Sequence, residues 1–145
     1  MAFEFSLATV LRVRDIVEQR EERLLQRIQQ QIAQTSQAIA ETNADISRWN
    51  VRGTTELFSH AVGRDFQASY AALQQLKLSR EELLGQLEKL KQLREIQLTV
   101  YRASRCEREM LTDMRDKKRA VYNSGMTRRA QSTLDDNFVA RQRRS

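Results

Sequence analysis

Residues 24–49 read LLQRIQQQIAQTSQAIAETNADISRW, and the spacing within this stretch decides the fold. Leu25, Ile32, Ile39 and Ile46 recur every seven residues, with Ile28, Thr35, Thr42 and Trp49 three residues after each. An apolar residue at alternating steps of three and four marks the a and d positions of a heptad, the pattern of a helix that seats one narrow stripe against another helix. Two of the d positions are threonine, so the seam is weaker than one built of leucine and isoleucine throughout. Upstream, Val10, Val13, Val17 and Leu24 continue a helical stripe across the polar run from Glu18 to Arg23, a run expected to lie exposed or to pack along its aliphatic stems.

Working outward, little in the chain stops a helix. The 145 residues hold no proline and four glycines, at 53, 63, 85 and 125. Periodicity lapses between Asn50 and Asp65, where Gly53, Thr54, Thr55, His60 and Gly63 gather, and the reversal is placed there. Thr54 or Thr55 is a candidate cap for a short helical knuckle holding Leu57, Phe58 and Val62, and Asp65 for the cap of the following helix. The second stripe opens with Phe66, Tyr70 and Leu73 and runs through Leu76, Leu83, Leu87, Leu90, Leu93, Ile96 and Val100. Gly85 lies inside it, at a cost of about 1 kcal/mol relative to alanine that a long seam offsets.

The expected fold is therefore all-α, a long antiparallel two-helix coiled-coil hairpin with unequal arms, forming one domain over residues 1–145. Helix 1 is expected at about 4–50, the tip at 51–65 and helix 2 at about 66–141. A turn centred near residue 58 sets Leu25 opposite Leu90 and Leu7 opposite Met110. The arms then measure roughly 70 and 110 Å, and helix 2 overhangs from about residue 111. Met114, Val121, Met126, Leu134 and Phe138 have no partner in that register.

Composition agrees. Hydrophobic residues make up 40% and charged residues 30%, which suits a thin seam and not a layered core. Residues 1–101 carry 13 Lys/Arg against 13 Asp/Glu, and residues 102–145 carry 12 against 6, so the net charge of +6 belongs to the C-terminal part. A basic end of this kind suits an acidic partner.

The same reading argues against an enzyme, catalytic residues, a cofactor or a metal. One histidine, His60, and one distant cysteine, Cys106, make neither a zinc site nor a nucleophile pair. Acidic neighbours such as Glu21 and Glu22 or Asp135 and Asp136 point about 100° apart on a helix and read as solvated faces. Neither Gly53 nor Gly63 starts a phosphate loop. The basic runs at Lys117–Arg119, Arg128–Arg129 and Arg141–Arg144 are interleaved with aspartates and have few aromatics for stacking, so nucleic acid is not an expected partner. No segment has the ~20 apolar residues of a membrane span, and the start lacks the basic and apolar regions of a signal peptide, so a cytoplasmic protein without membrane insertion is expected. Trp49, Phe58, Phe66 and Tyr70 are expected to close the tip of the hairpin.

The two ends carry a resemblance. Residues 3–15, FEFSLATVLRVRD, resemble the start of the flagellar export protein FliJ family, and residues 129–141, RAQSTLDDNFVAR, resemble its ending. With the midchain turn and unequal helices, the likeness covers essentially the whole chain. It implies a non-enzymatic, stalk-like component of the bacterial flagellar type III export apparatus, used in flagellum biogenesis and motility. The partners implied are the hexameric export ATPase, the cytoplasmic domain of the membrane export gate, and export chaperones. The location implied is cytoplasmic, peripheral to the inner face of the cell membrane at the flagellar base. By the resemblance, the ATPase would meet Phe3, Phe5, Leu7, Arg128, Arg129, Leu134 and Phe138, and the gate would meet Ile46, Trp49 and Leu73. The equivalent stalk of a virulence secretion system and a generic coiled-coil adaptor are the alternatives.

Overall fold

The computed structural model describes the backbone of residues 2–58 and 63–145, and the side chains of these except 56–58, 64 and 65. It is all-α: helix α1 spans Ala8–Phe58 and helix α2 spans Gly63–Arg144, with no strand among the described residues.

The helix bounds differ from expectation at every end, for local reasons. Residues 2–7 are not helical, and the first bonds that lead into α1 are Ala8 N–H to the Phe5 carbonyl at 3.0 Å and Leu11 N–H to the Leu7 carbonyl at 2.9 Å. At its other end α1 runs on past residue 50 to Phe58. Thr54 and Thr55 do not cap a new turn. Their hydroxyls each donate to the carbonyl four residues back, on Asn50 and Val51, at 3.0 Å, which leaves the helix intact. The α2 helix begins at Gly63, two residues before the expected cap Asp65, and continues to Arg144. His60 and the knuckle proposed around Leu57, Phe58 and Val62 lie outside the described residues or side chains.

The chain divides into two compact units. One comprises Glu21–Val100, an antiparallel pair made of the second part of α1 and the first part of α2. Its burial follows the heptad of the opening stretch: Leu25 and Ile46 are buried, Ile28, Ile32, Thr35, Ile39, Thr42 and Trp49 are half-buried, and most residues between them are exposed. On α2 the facing positions are Leu73, Leu76, Arg80, Leu83, Leu87, Leu90, Arg94 and Gln97. Arg80 reaches Asn43 at 3.4 Å, and Gln97 reaches Glu21 at 2.6 Å on the carboxylate and 3.1 Å on the carbonyl.

The other unit comprises Met1–Arg20 and Tyr101–Ser145, again antiparallel. Arg14 meets Glu107 at 2.5 Å, and Glu18 meets Arg108.

Two sequence expectations are corrected by this burial. Leu93, Ile96 and Val100, assigned to the seam, are 51%, 62% and 41% exposed. Val10 and Val13 on α1 are also exposed, whereas Glu18 and Glu21, from the polar run, are buried. The heptad frame does not slip. Counting back from Leu25 in steps of four and three gives Glu21, Glu18, Arg14, Leu11 and Leu7, and counting on from Leu90 gives Arg94, Gln97, Tyr101, Ser104 and Arg108. The stripe continues while its occupants turn polar.

The pairing also differs from a turn centred at residue 58. Within the Glu21–Val100 unit that register would put Asn43 opposite Leu73, yet it bonds Arg80. Within the other unit it would put Phe3 opposite Asp113, yet Phe3 packs on Tyr122. Helix α1 ends at Phe58 and α2 begins at Gly63, so the midpoint between them lies beyond residue 58 and partners fall at higher numbers.

Candidate functional site

In the unit that holds the chain start, the sequence Phe3-Glu-Phe-Ser-Leu7 alternates apolar and polar residues. The alternation suits an extended segment with one face covered. Phe3, Phe5 and Leu7 are half-buried, and Glu4 and Ser6 exposed. The covered face lies on α2. Phe3 packs tilted against Tyr122 with ring centroids 5.6 Å apart, the Arg119 guanidinium sits 5.5 Å over the Phe3 ring, and the Lys118 ammonium sits 5.6 Å over Phe5. Each such cation–π contact contributes about 0.5–1 kcal/mol at a site of this exposure. The strap thus binds part of the basic stretch of α2 in cis, and it covers α2 as far as Tyr122 although the overhang was expected to start at about residue 111.

Beyond the strap none of the described residues covers α2. Residues 126–145 are exposed throughout, with Met126 at 42%, Leu134 at 64% and Phe138 at 63%. Side-chain bonds in this arm run along the helix itself, such as Gln131 to Asp135 at 3.2 Å and Thr133 to the Arg129 carbonyl at 2.9 Å. Arg128, Arg129, Leu134 and Phe138 therefore share one exposed arm, whereas Phe3, Phe5 and Leu7 are engaged within the chain and offer only their outer edges.

The same unit contains a polar layer that hydrophobicity alone could not flag. Arg108 grips Glu18 with two bonds, Nε to Oε2 at 2.6 Å and Nη2 to Oε1 at 3.2 Å, a planar fork matched to a carboxylate. The Glu18 hydrogen bond raises the Arg108 pKa above its ordinary value, against an opposing effect of burial. Arg105 is raised likewise, by its bond to Glu109 at 2.8 Å. The signal that would have found this layer is the heptad count itself, carried through the charged run.

In the Glu21–Val100 unit, a cleft of about 220 Å³ is lined by Trp49, Asn50, Gly53, Thr54, Phe66, Ser69, Tyr70 and Leu73. Of the aromatics expected to close the helix pair, Trp49 is half-buried, Phe66 and Tyr70 are 44% and 59% exposed, and the Phe58 side chain lies outside those described. Gly53 contributes to the opening, since a Cβ there would meet nothing within 4 Å. The Arg52 guanidinium lies 5.1 Å over the Trp49 ring. Of the three residues assigned to a gate, Trp49 and Leu73 line this cleft, but Ile46 is only 6% exposed and belongs to the seam.

Among the described residues no group of three or more His, Cys, Asp or Glu side chains is placed to hold a metal ion, and no helix is long and apolar enough to cross a membrane. Cys106 is exposed. The exposed features of the described residues are a basic, partly apolar helical arm and an aromatic cleft. No family model, curated protein or solved structure matches the chain.

Proposed function

We propose that this chain is a non-enzymatic, stalk-like component of the bacterial flagellar type III export apparatus that binds the hexameric export ATPase and links it to the membrane export gate and to export chaperones. The observation that carries the proposal is the bare arm of α2, in which an apolar stripe and five arginines stand exposed on a continuous helix. The terminal sequences that resemble the FliJ family support the same reading, because the ending, RAQSTLDDNFVAR, is that arm.

A single asymmetric helix pair in a ring of six equivalent subunits contacts them unequally, and unequal contact biases their conformations without chemistry on the part of the insert. Arg128 and Arg129 steer the arm toward an acidic lining, and Leu134 and Phe138 supply the apolar contact. The strap at Phe3 and Phe5 holds α2 in place up to the point where the arm begins. The cleft at Trp49 and Leu73 is the surface offered to the gate. Such a protein works in the cytoplasm, peripheral to the inner face of the membrane.

The test is a calorimetric titration of the export ATPase with the wild-type chain and with the Arg128→Glu, Arg129→Glu double variant, at two ionic strengths. The double variant is expected to bind about tenfold more weakly and with a flatter salt dependence. Equal affinity at both ionic strengths would overturn the assignment of the arm.

A further inference from the structure

The strap is joined to α2 in a way that lets it come off. Among the described residues no backbone hydrogen bond links residues 2–7 to α2, and the bonds outside the helices are local, Ala8 to Phe5 and Leu11 to Leu7. What seats the strap is side-chain contact: Phe3 on Tyr122, Arg119 over Phe3 and Lys118 over Phe5. Contacts of this kind are individually weak and oppose the conformational entropy lost when extended residues are fixed, so the closed state is reversible.

The two cations under the rings are unlike their paired neighbours. Arg14, Arg105, Arg108 and Arg115 each face a carboxylate, on Glu107, Glu109, Glu18 and Asp116. Among the described residues neither Lys118 nor Arg119 has one within ion-pair distance; each has the face of a phenylalanine ring instead. The strap's own carboxylate, Glu4, is exposed and pairs with neither. Lys118 and Arg119 remain accessible beside the rings, since both residues are exposed. A carboxylate offers a full charge and a charge-assisted hydrogen bond where a ring offers only its quadrupole, so an arriving carboxylate draws the cation off the ring. The anchors of the strap are thus the groups that an anion reaches first.

We propose that residues 2–7 form an anion-released latch: an acidic segment of another protein binds Lys118 and Arg119, takes them from the Phe5 and Phe3 rings, and frees the strap. The inference does not rest on the export reading, since it uses only the strap and its seat. Two cations on one turn of α2 match a short run of carboxylates, and the strap already lies on this seat as an extended peptide. A nucleic-acid duplex or an anionic bilayer is held by many cations in a wider patch, and Asp113 and Asp116 interrupt this one. Release turns a binding event on α2 into a change at the chain start, where the rings of Phe3 and Phe5 become available. The coupling is reciprocal: the factor by which the acidic segment favours the open strap is the factor by which opening the strap tightens that segment.

The experiment uses the full chain with an oligoglutamate peptide as probe. In a Cys106→Ser, Ala2→Cys background a nitroxide on residue 2 reports the strap. Its spectrum should narrow as the peptide is added and stay unchanged with an oligoglutamine peptide of the same length. Two exposed cation–π contacts correspond to about five- to thirtyfold in the closing equilibrium. Phe3→Leu with Phe5→Leu, which keeps apolar bulk and removes the ring faces, should therefore bind the peptide at least about fivefold more tightly. Lys118→Gln with Arg119→Gln should give the narrow spectrum without peptide and remove the difference in affinity between the phenylalanine and leucine straps. Helical circular dichroism should be the same throughout, because residues 2–7 lie outside the helices. A spectrum that the peptide leaves unchanged, or equal affinity for the phenylalanine and leucine straps, would overturn the latch. A duplex oligonucleotide that narrows the spectrum at lower concentration than the peptide would overturn the choice of partner.

Discussion

The two units share one heptad frame and fill it differently. Between Leu25 and Trp49 the frame of α1 holds isoleucine at most a positions, and α2 answers with Leu76, Leu83, Leu87 and Leu90. From Leu7 to Glu18 the same frame holds Leu7, Leu11, Arg14 and Glu18, and α2 answers with Glu107 and Arg108. Apolar seams attract in several registers, because one leucine packs on another almost as well after a slip of a heptad. A forked ion pair satisfies one register and leaves charge uncompensated in the others. The first kind of seam supplies most of the stability and the second fixes where the strap and the arm stand on α2.

The difference can be probed by substitutions that should rank in size. The largest effect is expected in the apolar unit: Ile46→Ala removes a side chain that is 6% exposed and should destabilise by about 2–4 kcal/mol in urea unfolding. In the polar unit, Glu18→Ala should cost about 1–3 kcal/mol, because it strands a largely covered guanidinium. The double replacement Glu18→Leu with Arg108→Leu should be neutral or more stable than wild type, while a disulfide placed to report the register should lose its selectivity. A double variant as unstable as Glu18→Ala would mean that the pair contributes stability and not register.

Smaller again, Gly125→Ala should raise helicity and stabilise by about 1 kcal/mol, since a Cβ at Gly125 meets nothing within 4 Å and the residue sits inside a helix. Least of all, Leu93→Gln or Ile96→Gln should shift stability by less than about 0.5 kcal/mol. These two residues look like seam in the sequence and are exposed in the fold, so a large loss at either would restore them to the seam and displace Arg94 and Gln97.

That contrast also marks how far the sequence could be read. The helical class and the seam from Leu25 to Trp49 are legible because apolar residues mark every position of the frame except Thr35 and Thr42. The frame became illegible where Glu18, Glu21, Gln97 and Ser104 occupy it, since a search for apolar residues then follows the nearest hydrophobic stripe, Val10–Val13 on α1 and Leu93–Val100 on α2. Hydrogen bonding, which decides burial at those positions, depends on the facing helix and has no periodic signature of its own. The exposed arm was anticipated from unequal helix lengths. The strap is not legible, because the resemblance assigns Phe3 and Phe5 to a partner and the alternation that lays them on Lys118, Arg119 and Tyr122 covers only five positions.

The measurement that bears most directly on the stalk reading is ATP hydrolysis by the export ATPase, followed with the full chain and with a chain truncated after Ser124, which keeps the strap contact at Tyr122 and removes the arm. Full-length protein should stimulate hydrolysis and the truncated chain should not, although both retain the same helix pair by circular dichroism. Stimulation that survives the truncation, or its absence with the full chain, would contradict the account.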